Sequence, residues 1–190
     1  MATWIIGDIH GCAAELAELL RRIAPGPTDS VVSCGDLIHR GPDPVGVVDL
    51  LTEIGARFVL GNHERAVLRR VGIAPLRHDG ADRGPTPLEL PELELKDLAG
   101  DGRTPCRAPA DRLEHIVRFL QGHSGYLLRE SDLEHGGTTP DGRGWICVHA
   151  GFHPKQRPEV QPVERICSIR RLKGRGSPYW YEKWRGPELV

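Results

Sequence analysis

The 190 residues carry 39% hydrophobic and 27% charged side chains at a formal net charge of -1, the balance of a globular protein long enough to bury a core. That near-neutral charge argues against a nucleic-acid coat or a membrane-surface protein, and no apolar run reaches the roughly 18 residues of a spanning helix. The five cysteines are scattered and lack CxxC spacing, so zinc-knuckle and disulfide-scaffold readings fail.

Taken in chain order, Thr3–Ile6 is apolar and β-branched and predicts a first strand. Ala13–Ile23 then sets Leu16, Leu19, Leu20 and Ile23 at helical spacing, and Pro25-Gly26-Pro27 stops the helix. Ser30–Ser33 predicts a second strand. Pro44 suits the first position of a helix running to Ile54, which Gly55 closes. Residues 57–60 predict a third strand and residues 64–71 a further helix. This alternation predicts βαβ units and a mostly parallel sheet. Residues 72–110 change character, rich in Pro and Gly, and predict an insertion or lid over the strand ends. Beyond them, residues 111–120 place Leu113, Ile116, Val117 and Leu120 on one helix face. Residues 126–128 and 145–148 predict two more strands around a Gly-rich turn. No internal repeat is present, and one domain spanning 1–190 is expected.

Three short blocks interrupt this pattern at predicted strand ends: Gly7-Asp8-Ile9-His10-Gly11, Gly35-Asp36-Leu37-Ile38-His39-Arg40-Gly41 and Gly61-Asn62-His63-Glu64. Asp8, Asp36 and Asn62 stand 28 and then 26 positions apart, so one crossover helix separates each from the next. Parallel neighbours bring such ends together at the carboxyl edge, where open sheets bind ligands. A fourth block, Cys147-Val148-His149-Ala150-Gly151, repeats the pattern later. A lone Asp-x-His is most often a loop hydrogen bond; the ordered set is a mixed oxygen and imidazole donor group, suited to manganese or another borderline ion. Two divalent ions carry more positive charge than Asp8 and Asp36 return. The neutral Asn62 amide leaves that surplus for a phosphoryl group, so the set predicts a two-metal phosphoesterase site.

At residues 3–64 and from Trp145 onward, these blocks resemble the calcineurin-like metallophosphoesterases, within them the phosphoprotein-phosphatase superfamily. The resemblance implies an α/β fold, two mixed β-sheets in a sandwich flanked by helices. It implies that Asp8, His10 and Asp36 hold one metal, that Asp36 bridges to a second, and that Asn62 and His149 hold that second ion. Mn²⁺ is the expected metal, with Fe, Co, Ni or Zn as alternatives. It further implies His63 as the general acid and Arg40 and Arg185 as phosphate-binding arginines, a role a bidentate guanidinium suits. Protein phosphatases of the superfamily carry Asp where this chain has His39, and Arg where it has Leu60. Met1–Cys12 is instead similar to the opening of bacterial symmetrical diadenosine-tetraphosphate hydrolases. The expected substrate is therefore a phosphorylated small molecule or nucleotide, in a cytoplasmic enzyme. A bacterial serine/threonine protein phosphatase acting on phosphoproteins is the alternative, and a non-catalytic phosphate or nucleotide sensor a further one. The family places another metal-binding histidine beyond Arg-Gly-Pro, where this sequence has only Glu188-Leu189-Val190. A chain ending before that ligand and before the last strands is expected.

The remaining candidates have plain readings. Arg165, Arg170, Arg171, Lys173 and Arg175 form a basic stretch that could steer a polyanion but reads first as a solvated loop. Trp180, Tyr181 and Trp184 could stack a base but read first as core. His78 and His123 carry no ligand spacing, His153 could substitute for the further second-metal histidine but reads first as a loop residue in Phe-His-Pro, and Cys12 reads as packing behind the first block.

Overall fold

The computed structural model describes residues 1–73, 93–99, 104–122, 124–173 and 176–190, so most of the expected lid at 72–110 lies outside the described residues. Strands β1 (Thr3–Ile6), β2 (Ser30–Ser33), β3 (Arg57–Val59) and β4 (Ser124–Gly125) form one sheet in that order, every pair parallel. Helices α1 (Ala13–Ile23), α2 (Pro44–Glu53), α3 (Asn62–Arg70) and α4 (Leu113–Gly122) supply the crossovers.

Strand alternation decides what each face of this sheet covers. Val31 and Phe58 point into a core shared with Leu16, Val47, Val67 and Leu120 of the helices. Their neighbours Val32 and Val59 point the other way, into a second cluster with Leu128, Trp145 and Cys147. Those partners belong to an antiparallel pair, β5 (Leu128–Arg129) and β6 (Ile146–Cys147), beside which Trp145 bridges in parallel to Leu189. The expected sandwich is present, with one wholly parallel sheet where a mixed one was expected.

The strand expected at 126–128 does not form as one; pairing falls on either side of Tyr126 and Leu127, in different layers. Residues 124–125 extend the parallel sheet and Leu128–Arg129 joins the second, with fully buried Tyr126 between them. A continuous apolar run reads as one strand even where the chain is stepping from sheet to sheet. The first two strands and α1 fall where periodicity put them, and α2 stops one residue early. Helix α3 begins at Asn62, two residues before Glu64, because the Glu64 carboxylate accepts from the Gly61 N–H (3.1 Å) and caps the helix there.

Helix α2 depends on Asp43, whose carboxylate accepts from the Gly46 N–H at 2.8 Å, with Pro44 preset at the first helical position. Asp43→Ala should cost about 1 kcal/mol. Urea unfolding should show a lower midpoint at unchanged slope; an unchanged midpoint contradicts the capping assignment.

Candidate active site

The loops after β1 and β2 are fastened backbone to backbone. The N–H groups of Ile9 and His10 both donate to the Asp36 carbonyl (3.2 and 2.8 Å), Gly11 N–H to Leu37 (2.6 Å), and Gly41 N–H back to His10 (2.7 Å). Gly41 allows that approach, since a Cβ there would overlap the His10 carbonyl. Gly61 does the same on the other side, where a Cβ would overlap the Asp36 carboxylate. These glycines act by letting loops touch, a use that their spacing in sequence does not reveal.

The third loop is joined to the second by Glu64. Its buried carboxylate accepts from the backbone N–H of Asp36 (2.8 Å), Leu37 (2.8 Å) and Gly61 (3.1 Å). Burial, and after it the nearby Asp36 charge, pushes its pKa up to about 6. The reading by motif gave Glu64 no role. The signal was present as an acidic side chain at the third position of a helix, where backbone donors are unsatisfied.

These contacts set donor atoms around Asp36. The ligand atoms of Asp8, His10 and Asp36 lie within 4.8 Å of one another. Asp36 is buried, Asp8 half-exposed, and the His10 Nε2 is 3.6 Å from Asp8 and 3.8 Å from Asp36 Oδ2. On the other side, Asp36 Oδ1 is 3.6 Å from His149 Nε2, which is 3.2 Å from Asn62 Oδ1. The two oxygens of one carboxylate thus face two donor groups.

Tautomers are set from behind. His149 Nδ1 lies 2.8 Å from the Cys34 carbonyl, which can only accept, so Nδ1 carries a hydrogen and, in the neutral ring, Nε2 presents a lone pair. That lone pair, the Asn62 oxygen and Asp36 Oδ1 converge without a hydrogen of their own between them. A divalent cation relieves such a cluster, so the residues present fit the metal that their types imply. At His10, burial, and then the Arg40 guanidinium, holds the pKa below the usual imidazole value, and Nε2 accepts from Arg40 Nη1.

Arg40 bridges the site, its Nη1 2.8 Å from His10 Nε2 and its Nη2 3.3 Å from His63 Nε2. His63 is buried, and its main-chain N–H donates to Asp36 Oδ1 at 3.3 Å. Behind it lies His39, its ring 4.9 Å away and tilted by 41°. His39 Nε2 donates to the Leu98 carbonyl (2.5 Å), and burial brings its pKa down to about 4. A neutral ring therefore backs His63 here. Leu60 is fully buried in the core.

His10, Asp36 and Arg40 all have positive φ (52°, 54° and 73°), a left-handed backbone that costs non-glycine residues on the order of 1 kcal/mol each. Nothing in the residue types announces it.

Other expectations fall outside this cluster. Arg185 is exposed and donates to the carbonyls of Glu182 and Trp184. His153 is tied into its own turn, accepting at Nδ1 from the Lys155 N–H. Trp180 is core: its indole N–H donates to the Ala150 carbonyl (2.8 Å) and its ring packs on Phe152, bracing the His149 loop. Arg171 lies 4.0 Å over the Tyr179 ring. His78, His123 and Arg175 lie outside the described residues.

Glu64→Gln leaves one acceptor oxygen for donors that now use two, so one N–H faces the new amide N–H. A loss of about 1–3 kcal/mol is expected. The thermal midpoint of metal-free protein should fall by roughly 3–10 °C. An unchanged midpoint would show that Glu64 does not hold the loops together.

Comparison with known proteins gives this arrangement its relatives. A symmetrical bis(5'-nucleosyl)-tetraphosphatase of Photorhabdus laumondii is 41% identical over 138 residues, 70% of this chain and 47% of that protein. A serine/threonine-protein phosphatase 1 of Salmonella typhimurium is 48% identical over 66 residues, 34% of this chain and 31% of its own. The chain thus matches less than half the length of these relatives. A crystal structure of a provisionally assigned diadenosine tetraphosphatase superposes with a TM-score of 0.65 at 27% identity, over 98% of this chain and 71% of that one. The profile of the calcineurin-like phosphoesterases matches residues 1–187, from the first strand to beyond the aromatic segment that braces His149, and the chain belongs to that family.

Proposed function

We infer that the chain is a dinuclear metallophosphoesterase that hydrolyses phosphoanhydrides of nucleotides, with dinucleoside tetraphosphates as its substrate class. The observation that carries this is the buried Asp36 carboxylate, whose oxygens face His10 and Asp8 on one side and His149 on the other. Asp8, His10 and Asp36 would hold one divalent ion, and Asp36, Asn62 and His149 the second. Manganese suits these oxygen and imidazole donors. Bound there, two such ions supply an activated water and neutralise phosphoryl charge.

The chain's own residues do the rest. Arg40 turns from His10 and His63 to grip phosphoryl oxygens through paired N–H groups. His63, packed between His39 and Arg40, delivers a proton from Nε2 to the departing oxygen. Arg185 joins the phosphate site only if its side chain leaves the carbonyls it now caps. Two positions favour nucleotides over phosphoproteins. His39 is a neutral ring where protein phosphatases use a carboxylate, and Leu60 is core where they present an arginine. The reading as a protein phosphatase rests on the 48% identity of the 66-residue segment shared with the Salmonella enzyme. Among the described residues no helix is long and apolar enough to cross a membrane. The five free thiols suit a reducing cytoplasm.

A panel of dinucleoside polyphosphates and phosphopeptides, assayed with Mn²⁺, separates the two. Release of nucleoside diphosphates is expected; turnover of phosphopeptides alone would contradict the reading. Asp36→Asn should abolish hydrolysis. His63→Asn should slow poor leaving groups by about 10²–10⁴-fold while sparing activated aryl phosphates. Equal losses on both would remove His63 as the acid.

A further inference from the structure

Directly behind the candidate metal donors, two thiols from different sheets face each other. Cys34 follows β2 and Cys147 ends β6, 113 positions apart in sequence, yet their Sγ atoms lie 3.8 Å apart. Cys147 is buried in the cluster between the sheets, while Cys34 at its edge is partly exposed. Elsewhere, Cys12 Sγ faces the His10 carbonyl and Cys167 Sγ the Leu60 carbonyl. Both members of the pair stand two residues before a site residue, Asp36 and His149, and the Cys34 carbonyl fixes the His149 tautomer.

We propose that Cys34 and Cys147 are a reversibly oxidised dithiol whose closure releases His149 from the site. An accessible thiol beside a buried resolving thiol is the arrangement of a peroxide-sensitive pair. The Cys34 thiolate attacks the peroxide O–O bond and becomes a sulfenic acid; with hydrogen peroxide the leaving hydroxide takes a proton to become water. Cys147 sulfur then attacks the sulfenic sulfur, forming S–S and releasing a second water. Two thiols are thereby oxidised by two electrons and one peroxide is reduced; an external dithiol reverses the step. Closure draws the sulfurs from 3.8 Å to about 2.05 Å. Both strand ends are otherwise anchored, since the Cys34 N–H donates to Ile6 and the Ile146 N–H to Leu189. The movement therefore falls on the short segments leading to Asp36 and His149, and the bond from His149 to the Cys34 carbonyl is lost. Loss of such an outer partner weakens metal binding by about 10–100-fold.

The test treats the full chain with hydrogen peroxide, quenches with catalase, and maps peptides by mass without reductant. A Cys34–Cys147 linked peptide, two hydrogens lighter than its parts, is expected. Manganese affinity should fall about 10–100-fold and return with dithiothreitol. Cys147→Ala should form no link and keep its manganese affinity through the same dose; Cys34→Ala, at the more exposed position, should likewise form no link. A link between other cysteines, no link at all, or a link with unchanged manganese affinity overturns the proposal. So does an equal loss in peroxide-treated Cys147→Ala. Neither readout requires turnover, so failure of the substrate reading leaves this test intact.

Discussion

The geometry of the site depends on one buried carboxylate that is itself no part of the donor cluster. Glu64 gathers three backbone N–H groups, two from the loop after β2 and one from the loop after β3. Those groups would otherwise be buried and unpaired, at about 1–3 kcal/mol each. Because the same loop after β2 is sewn to the loop after β1, a displacement at Glu64 reaches Asp8 and His10 as well as Asn62 and His63. Placing a charge at a fully buried position is unfavourable in itself, which is why burial raises its pKa. The paired backbone donors offset that cost.

Around this frame the electrostatics are deliberately incomplete. Carboxylate, amide and imidazole lone pairs converge on both sides of Asp36, and the one cation of the described side chains reaching into them is Arg40. An arginine can neutralise such a cluster without occupying it, because its planar fork can leave for a phosphoryl group. The left-handed backbone at His10, Asp36 and Arg40 belongs to the same economy of space. It turns three side chains inward from adjoining loops, and the inter-loop hydrogen bonds hold it against its strain.

Much of this was legible in the sequence because it is local. The β-branched pair in Ser30–Ser33, the spacing of Leu16, Leu20 and Ile23, and Pro44 at a helix start are each encoded within a few residues, and the elements form there. The candidate donor residues stand out in the sequence because glycine-flanked Asp, His and Asn recur after successive strands. What was not legible is what distant segments do together. Tyr126 reads as strand from its neighbours, but its place is set by two sheets that it lies between. The contact of Cys34 with Cys147 spans 113 positions and leaves no pattern in either segment. Arg185 shows the converse: the motif assigned it to phosphate, while its guanidinium lies on carbonyls of its own turn.

The central claim is that one buried carboxylate serves two ions. Equilibrium dialysis against manganese, with elemental analysis of the retained metal, measures it directly. The account predicts two ions per chain in the unmodified protein, the tighter on the side bearing Asp8 and His10. One ion or none at saturation would contradict it.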